Sequence, residues 1–244
     1  MKVKQHMENK DLYGGAFHAT RDIDTKYAAD RILSILYQVF PELNKVIDVG
    51  CGIGTFLKVA KAHGATHIKG VDGDWVNQDE LVIPEIHFES MDLNSPTLMN
   101  EQYDLAITLE VAEHLPRDSA APFVHWLCNL APVILFSAAI PGQGGVGHKN
   151  EAWQSYWVDI FENEGFEPLD IIRPEIWNDK DIYFWYRQNI LVFSKIGKTK
   201  SKKNETNPID IVHPELYLSK LPQKSVSLSQ RLLRRIKRII GDMI

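Results

Sequence analysis

Residues 45–57, KVIDVGCGIGTFL, decide how the rest of the chain is read. Val46, Ile47 and Val49 form a short apolar strand pattern, Gly50, Gly52 and Gly54 follow at every second position, and Phe56 and Leu57 open a helical pattern. Strand, tight turn and helix start in this order bring a ligand onto the main chain and aim the first helix amides at it. A dinucleotide-binding loop reads G-x-G-x-x-G, whereas this one reads D-x-G-x-G-x-G, with Asp48 inside the strand end. A carboxylate there suits a cationic ligand group and repels a pyrophosphate.

Outward from that stretch the same rhythm repeats. His67 to Val71 is a second strand that delivers Asp72, about twenty residues beyond the glycines, where an α/β nucleotide fold places an acid on the ribose hydroxyls. A turn-forming role is its alternative. Trp75 is either a lid on an adenine ring or ordinary core. Ile86 to Ser90 makes a third strand ahead of Asp92, which either serves a ligand or caps a helix. Tyr103 to Leu109 is a fourth strand, apolar enough to be buried on both faces, and it ends in Glu110-Val-Ala-Glu-His-Leu115. A helix from Asp118 to Leu130, a strand from Val133 to Ala139 and two last strands, Phe166 to Ile172 and Asn189 to Ser194, complete a set of seven. Upstream, Asp24 or Thr25 caps a helix from Lys26 to Val39 that Pro41 stops. Alternating strands and helices predict a doubly wound α/β sheet, and the acids fall at strand ends, where such sheets bind ligands.

With Asp48, Gly50, Gly52 and Gly54 followed by Asp72, Asp92 and Glu110 at successive strand ends, residues 25–195 resemble the class I S-adenosylmethionine-dependent methyltransferases. The resemblance implies a Rossmann-like, seven-stranded sheet with an N-terminal helical cap and S-adenosylmethionine as cofactor. It implies that Asp48, Gly50, Cys51, Gly52 and Gly54 form the cofactor loop, that Asp72, Gly73 and Trp75 meet ribose and adenine, that Met91, Asp92 and Leu93 border the adenine, and that Glu110 and Val111 meet the methionine end. The E-x-x-E-H-L pattern puts His114 either against the acceptor or in support of its own loop. The glycine-rich loop from Ile140 to Trp157 leaves the same sheet edge, and His148 is the general base expected there, because an unperturbed imidazole titrates near neutrality. A loop histidine bonded to backbone or water is the alternative. Tyr13, His18, Asn150, Trp153, Tyr156, Tyr186 and Arg187 are the further acceptor contacts expected, the last two from an aromatic insertion suited to a sugar, with Arg187 meeting a phosphate or carboxylate. The G-H-x-N-E-x-W and Y-R-Q-N-I stretches look like methyltransferases encoded with polysaccharide and natural-product pathways. The implied reaction is O-methylation of a small molecule such as a sugar or phosphorylated sugar. N-methylation, cofactor binding without catalysis and a dinucleotide oxidoreductase are the rival readings.

Composition bounds these readings. With 44% hydrophobic and 24% charged residues in 244, one main soluble domain is expected. Two cysteines offer no disulfide framework, which points to a reducing compartment, and neither has metal-site neighbours, so no metal is expected. Leu130 to Pro141, the longest apolar run, is too short to span a bilayer, and the first residues lack a signal-peptide core, so the expected location is cytoplasmic. Residues 1–194 hold 15 Lys and Arg against 28 Asp and Glu, whereas residues 195–244 hold 12 against 4. The acidic body argues against nucleic acid as a partner. The expected divisions are a leader (1–24), the cofactor-binding domain (25–195), a basic linker (196–226) and an amphipathic basic helix (227–244). In that helix Leu228, Leu232, Ile236, Ile239 and Met243 share one face and Arg231, Arg234, Arg235, Lys237 and Arg238 the other. It either lies on an anionic membrane surface or docks on an acidic partner, this protein's own body or a second copy included.

Overall fold

Across the sheet the strands run Phe88–Ser90, His67–Asp72, Lys45–Val49, Leu105–Leu109, Val133–Ser137, Leu191–Lys195 and Phe166–Leu169, an order that reverses direction of winding between the third and fourth and puts the Gly loop and the Glu110 turn side by side. A computed structural model describes residues 15–197 and 209–222, with helix side chains from Thr25 onward. The strands are β1 (Lys45–Val49), β2 (His67–Asp72), β3 (Phe88–Ser90), β4 (Leu105–Leu109), β5 (Val133–Ser137), β6 (Phe166–Leu169) and β7 (Leu191–Lys195). The first five pair in parallel, while β7 enters antiparallel between β5 and β6.

Both faces of the sheet are covered, and side-chain alternation sorts the residues between them. Val133 and Leu135 of β5 join Val46, Leu105 and Val192 under helices α1 (Gly15–Val39) and α2 (Thr55–Ala62). Ile134 and Phe136 join Ile47, Ala106 and Phe193 under α3 (Ala120–Leu130) and α4 (Gln154–Asn163). On that second face Phe161 and Phe193 stack with ring centroids 3.8 Å apart, tying α4 to β7.

Several boundaries differ from expectation. Helix α1 begins at Gly15 and runs straight through Asp24 and Thr25, so neither caps it. No proline interrupts the stretch before them, and nothing in it stops a helix. Ile86 belongs to a single 3-10 turn, Glu85–His87, which shortens β3. Asn189 ends a short helix, α6 (Phe184–Asn189), that follows α5 (Arg173–Ile176), and β7 starts after it. The chain divides into units Met1–His213 and Pro214–Ile244, and the described part of the second, residues 214–222, holds helix α7 (Pro214–Lys220). Residues 209–213, expected as linker, hydrogen bond into the first unit: Arg173 donates to the Ile209 carbonyl at 2.9 Å, Ser155 to Asp210 at 2.7 and 2.8 Å, and the His213 amide to Gln188 at 2.8 Å. The expected helix 227–244 lies outside the described residues. Among the described residues no helix is long and apolar enough to cross a membrane.

Candidate active site

At the carboxyl end of β1 the glycine spacing has a tertiary reason. A side chain on Gly50 would lie 2.3 Å from Cγ2 of half-buried Val111, so this loop and the turn after β4 touch through a bare backbone. Helix α2 starts on Gly54 with φ of 90°. Asp72 accepts the Gly52 amide on one carboxylate oxygen and the Gly73 amide on the other, both at 2.7 Å. An acid at the end of the second strand is where an α/β nucleotide fold meets ribose hydroxyls. Trp75 packs its ring against Gly73.

The other expected cofactor residues divide between backbone and side-chain roles. Asp48 is 4% exposed, and burial, reinforced by the charge of Asp72, pushes its carboxyl well above the usual range. Burial likewise raises the Cys51 thiol, with Asp48 and Asp72 adding to the shift. Met91 and Leu93 turn into the second core cluster, and Met91 ties its amide to the Asp72 carbonyl at 2.8 Å. Exposed Asp92 accepts the Asn94 amide at 3.0 Å and the Asn94 carboxamide at 2.7 Å, an Asx-type turn.

Glu110 has φ of 56°, in the left-handed region, a conformation that no other non-glycine shares among the described residues. Its amide donates to the carbonyl (3.0 Å) and the hydroxyl (3.1 Å) of Ser137. Its carboxylate accepts from Gln143 and from Asn189, each at 3.0 Å. Gln188 donates to Gln143 at 3.1 Å and to Asn189 at 2.8 Å, which locks the brace. Burial raises the Glu110 carboxyl, and the bonds from Asn189, Ser137 and Gln143 oppose that shift.

One turn further on, Glu113 is 1% exposed; burial, and then the charge of Glu110, push its carboxyl well above the usual range against the bonds from its own amide and that of Ala139. Its backbone carbonyl accepts the amides of Lys149 (2.7 Å) and Asn150 (3.0 Å), which latches the loop after β5 onto the turn after β4. That latch brings His148 to His114 edge-to-face, with ring centroids 4.9 Å apart. Burial and then the neighbouring His148 pull His114 down to about 4, so it is neutral at pH 7. His148 Nδ1 lies 2.9 Å from Glu151, and His148 fits because Gly145 has no side chain: a Cβ there would sit 2.1 Å from Nε2. Burial pushes the Glu151 carboxyl up, but bonds from His148, Gly142 and Gly144 outweigh it and hold the group below its ordinary value.

Beyond Glu151 opens a cavity of about 270 Å³ with Trp153, Tyr156 and Arg117 on its wall. Trp153 is 41% exposed, and the Arg117 guanidinium sits 4.7 Å from the Tyr156 ring centroid. Tyr186 is only half-buried but packs edge-on against Phe56 at the first core cluster. Arg187 corrects an expectation: at 2% exposure it donates to the Trp177 carbonyl at 3.1 Å and lies 3.1 Å from His213, so it braces the core instead of meeting a substrate anion. Asn150 is 2% exposed and sits inside its loop, not on an open acceptor wall. Tyr13 and the His18 side chain lie outside the described residues. Sequence reasoning missed Gln143, Gln188 and Asn189, whose convergence is tertiary. Glu113 and Glu151 did leave a signal, each lying three residues from a residue already singled out.

A model of the methyltransferase domain family matches residues 20–158. The chain belongs to that family. Fold and family together make it a class I, S-adenosylmethionine-dependent methyltransferase, with the seven-stranded sheet and flanking helices of that class. The methyltransferase is similar in fold to magnesium protoporphyrin IX methyltransferase from Synechocystis PCC 6803 with bound SAH, at 17% identity and a TM-score of 0.50 over 80% of this chain and 94% of that one. It is similar to the sugar N-methyltransferase KedS8 from Streptoalloteichus sp ATCC 53650, at 13% identity and a TM-score of 0.54 over 68% and 86% of the two chains. DesVI from Streptomyces venezuelae shares 12% identity and a TM-score of 0.53 over 78% and 98%. No curated protein matches the methyltransferase in sequence.

Proposed function

We propose that the methyltransferase carries a methyl group from S-adenosylmethionine to an oxygen of a small hydroxylated acceptor, such as a sugar or phosphorylated sugar of a polysaccharide or natural-product pathway. The observation that carries this reading is that Glu151, 2.9 Å from His148 of the histidine pair, also lines the cavity walled by Trp153, Tyr156 and Arg117. Asp72 takes the ribose hydroxyls, Asp48 and the Gly50–Gly54 loop lie under the amino-acid part, and Glu110 holds the ammonium. The sulfonium methyl then faces the two imidazoles. An exposed indole beside a phenol, with Arg117, Glu151 and Asp159 on the same wall, suits a polar, hydroxylated ring.

In the displacement the acceptor oxygen attacks the methyl carbon as the carbon–sulfur bond breaks, S-adenosylhomocysteine departs, and the oxygen loses its proton. Alignment lowers the barrier by several kcal/mol, and assistance at the proton contributes roughly 10²- to 10⁴-fold. The test is S-adenosylhomocysteine release with a panel of nucleoside-diphosphate sugars, free sugars and small amines. Turnover should appear with hydroxylated acceptors, with Asp72→Asn weakening cofactor affinity and His148→Ala lowering kcat while leaving that affinity near wild type. Turnover on amines alone would overturn the oxygen assignment. The basic segment 227–244 is proposed to bring this otherwise cytoplasmic enzyme to an anionic membrane surface.

A further inference from the structure

Glu113, His114 and His148 each place one ligand atom within 4.8 Å of the other two. They come from two loops, and the latch of Lys149 and Asn150 on the Glu113 carbonyl holds those loops together. Glu113 is the telling member: a carboxyl group 1% exposed, beside two imidazoles and the Glu110 carboxyl, with only its own amide and that of Ala139 to meet it and no Lys or Arg paired with it among the described residues. A buried carboxyl group in such surroundings is costly when charged, and the usual remedies are a proton, a donor, a cationic side chain or a metal ion. The imidazoles are turned for the last of these. Glu151 engages Nδ1 of His148 at 2.9 Å and so leaves Nε2 as its ligand atom, while His114 is hydrogen bonded to the backbone of Gly147. A carboxylate or carbonyl on the far nitrogen fixes tautomer and ring direction, as the outer partners of metal-ligating histidines do. Glu151 is itself fixed by the amides of Gly142 and Gly144, each at 2.8 Å.

We propose that Glu113, His114 and His148 bind one divalent first-row transition ion, in the range Mn²⁺ to Zn²⁺, whose open positions take oxygens of the acceptor. Two nitrogens and a carboxylate favour such an ion over Ca²⁺ or Mg²⁺, which prefer all-oxygen shells. Donors around an ion at about 2.1 Å stand roughly 3–3.5 Å apart, so binding requires side-chain rotations that draw the three atoms in from a spacing of up to 4.8 Å. The inference rests on the proposed function only for the word acceptor; the ion site stands on this geometry alone. In the reaction the ion withdraws charge from the bound hydroxyl, whose proton passes to water as the oxygen–methyl bond forms and the carbon–sulfur bond breaks. His148 then contributes a ligand lone pair instead of accepting the proton itself.

The test is a titration of full-length, chelator-stripped protein with CoCl₂, followed by visible ligand-field absorption and calorimetry, with MnCl₂ in parallel by paramagnetic resonance. One equivalent should bind saturably. Glu113→Gln and His114→Ala should each weaken it at least about tenfold, and Glu151→Gln about 10- to 100-fold through the orientation of His148. His125→Ala, which removes an exposed histidine paired with Glu164 elsewhere, should leave the stoichiometry at one. Circular dichroism and an S-adenosylmethionine titration on the same samples report folding and the cofactor site separately, and His148→Ala replaces any variant that fails to fold. The proposal is overturned by the absence of saturable one-equivalent binding, or by binding of unchanged affinity in Glu113→Gln and His114→Ala. Normal cofactor affinity with no ion binding would sink the ion site and spare the methyl-transfer reading, whereas ion binding without turnover on any acceptor would do the reverse.

Discussion

Asp48 shows how far a residue's surroundings reset its chemistry. The spacing of the loop singles it out as an acid for a cationic ligand group, yet folding buries it beside Asp72 and raises its carboxyl well above the ordinary value. The unfolded chain releases this proton above about pH 4 while the folded chain retains it, so stability is lost as pH rises past that point. Asp48→Asn removes the loss. Thermal melts of the ligand-free proteins should show the variant gaining on wild type from pH 4 towards pH 8, and an offset that does not change with pH would contradict the assignment. The two thiols follow the same sign. Burial raises Cys51 well above its usual value and Cys128 to about 12, so both should resist iodoacetamide at pH 7.5 until the protein is unfolded.

Among the elements, the turn after β4 depends most on parts remote in sequence. Asn189 at the end of α6 donates to Glu110 across 79 residues, and Gln143 reaches it from the loop after β5. Asn189→Ala leaves a buried carboxylate oxygen short of a donor, a loss of about 1.5–3 kcal/mol for a bond to a charged group. Calorimetry should therefore show S-adenosylmethionine affinity falling roughly 10- to 100-fold, and the melting temperature should fall by several degrees, since the bond is present without ligand. Asp48, Asp72 and Glu110 were legible because strand ends are local, marked by an apolar run that stops on an acid. Gln143, Gln188 and Asn189 were not, since polar amides carry no periodicity and acquire a role only when β7 slots in beside β5. Arg187 misled for the complementary reason: an arginine amid aromatics reads as a ligand arm until its burial and its bond to the Trp177 carbonyl are seen. The cluster of Glu113, His114 and His148 spans two loops, so a search for closely spaced cysteines and histidines passes over it.

For the whole molecule, charge is divided along the chain: residues 1–194 carry about −13 and residues 195–244 about +8. Full-length protein should sediment with anionic vesicles and be released by salt, whereas Arg234→Glu, Arg235→Glu and Arg238→Glu together should abolish retention; equal retention would reject membrane binding. The brace on Glu110 has one more consequence, set by the order of synthesis. The glycine loop, Asp72 and Glu110 all leave the ribosome before the segment that supplies Gln188 and Asn189, and β7 must then thread between two strands already made. A growing chain thus owns the outline of a cofactor cleft well before it owns the grip, and competence to hold the nucleotide arrives only with the closing stretch of the domain.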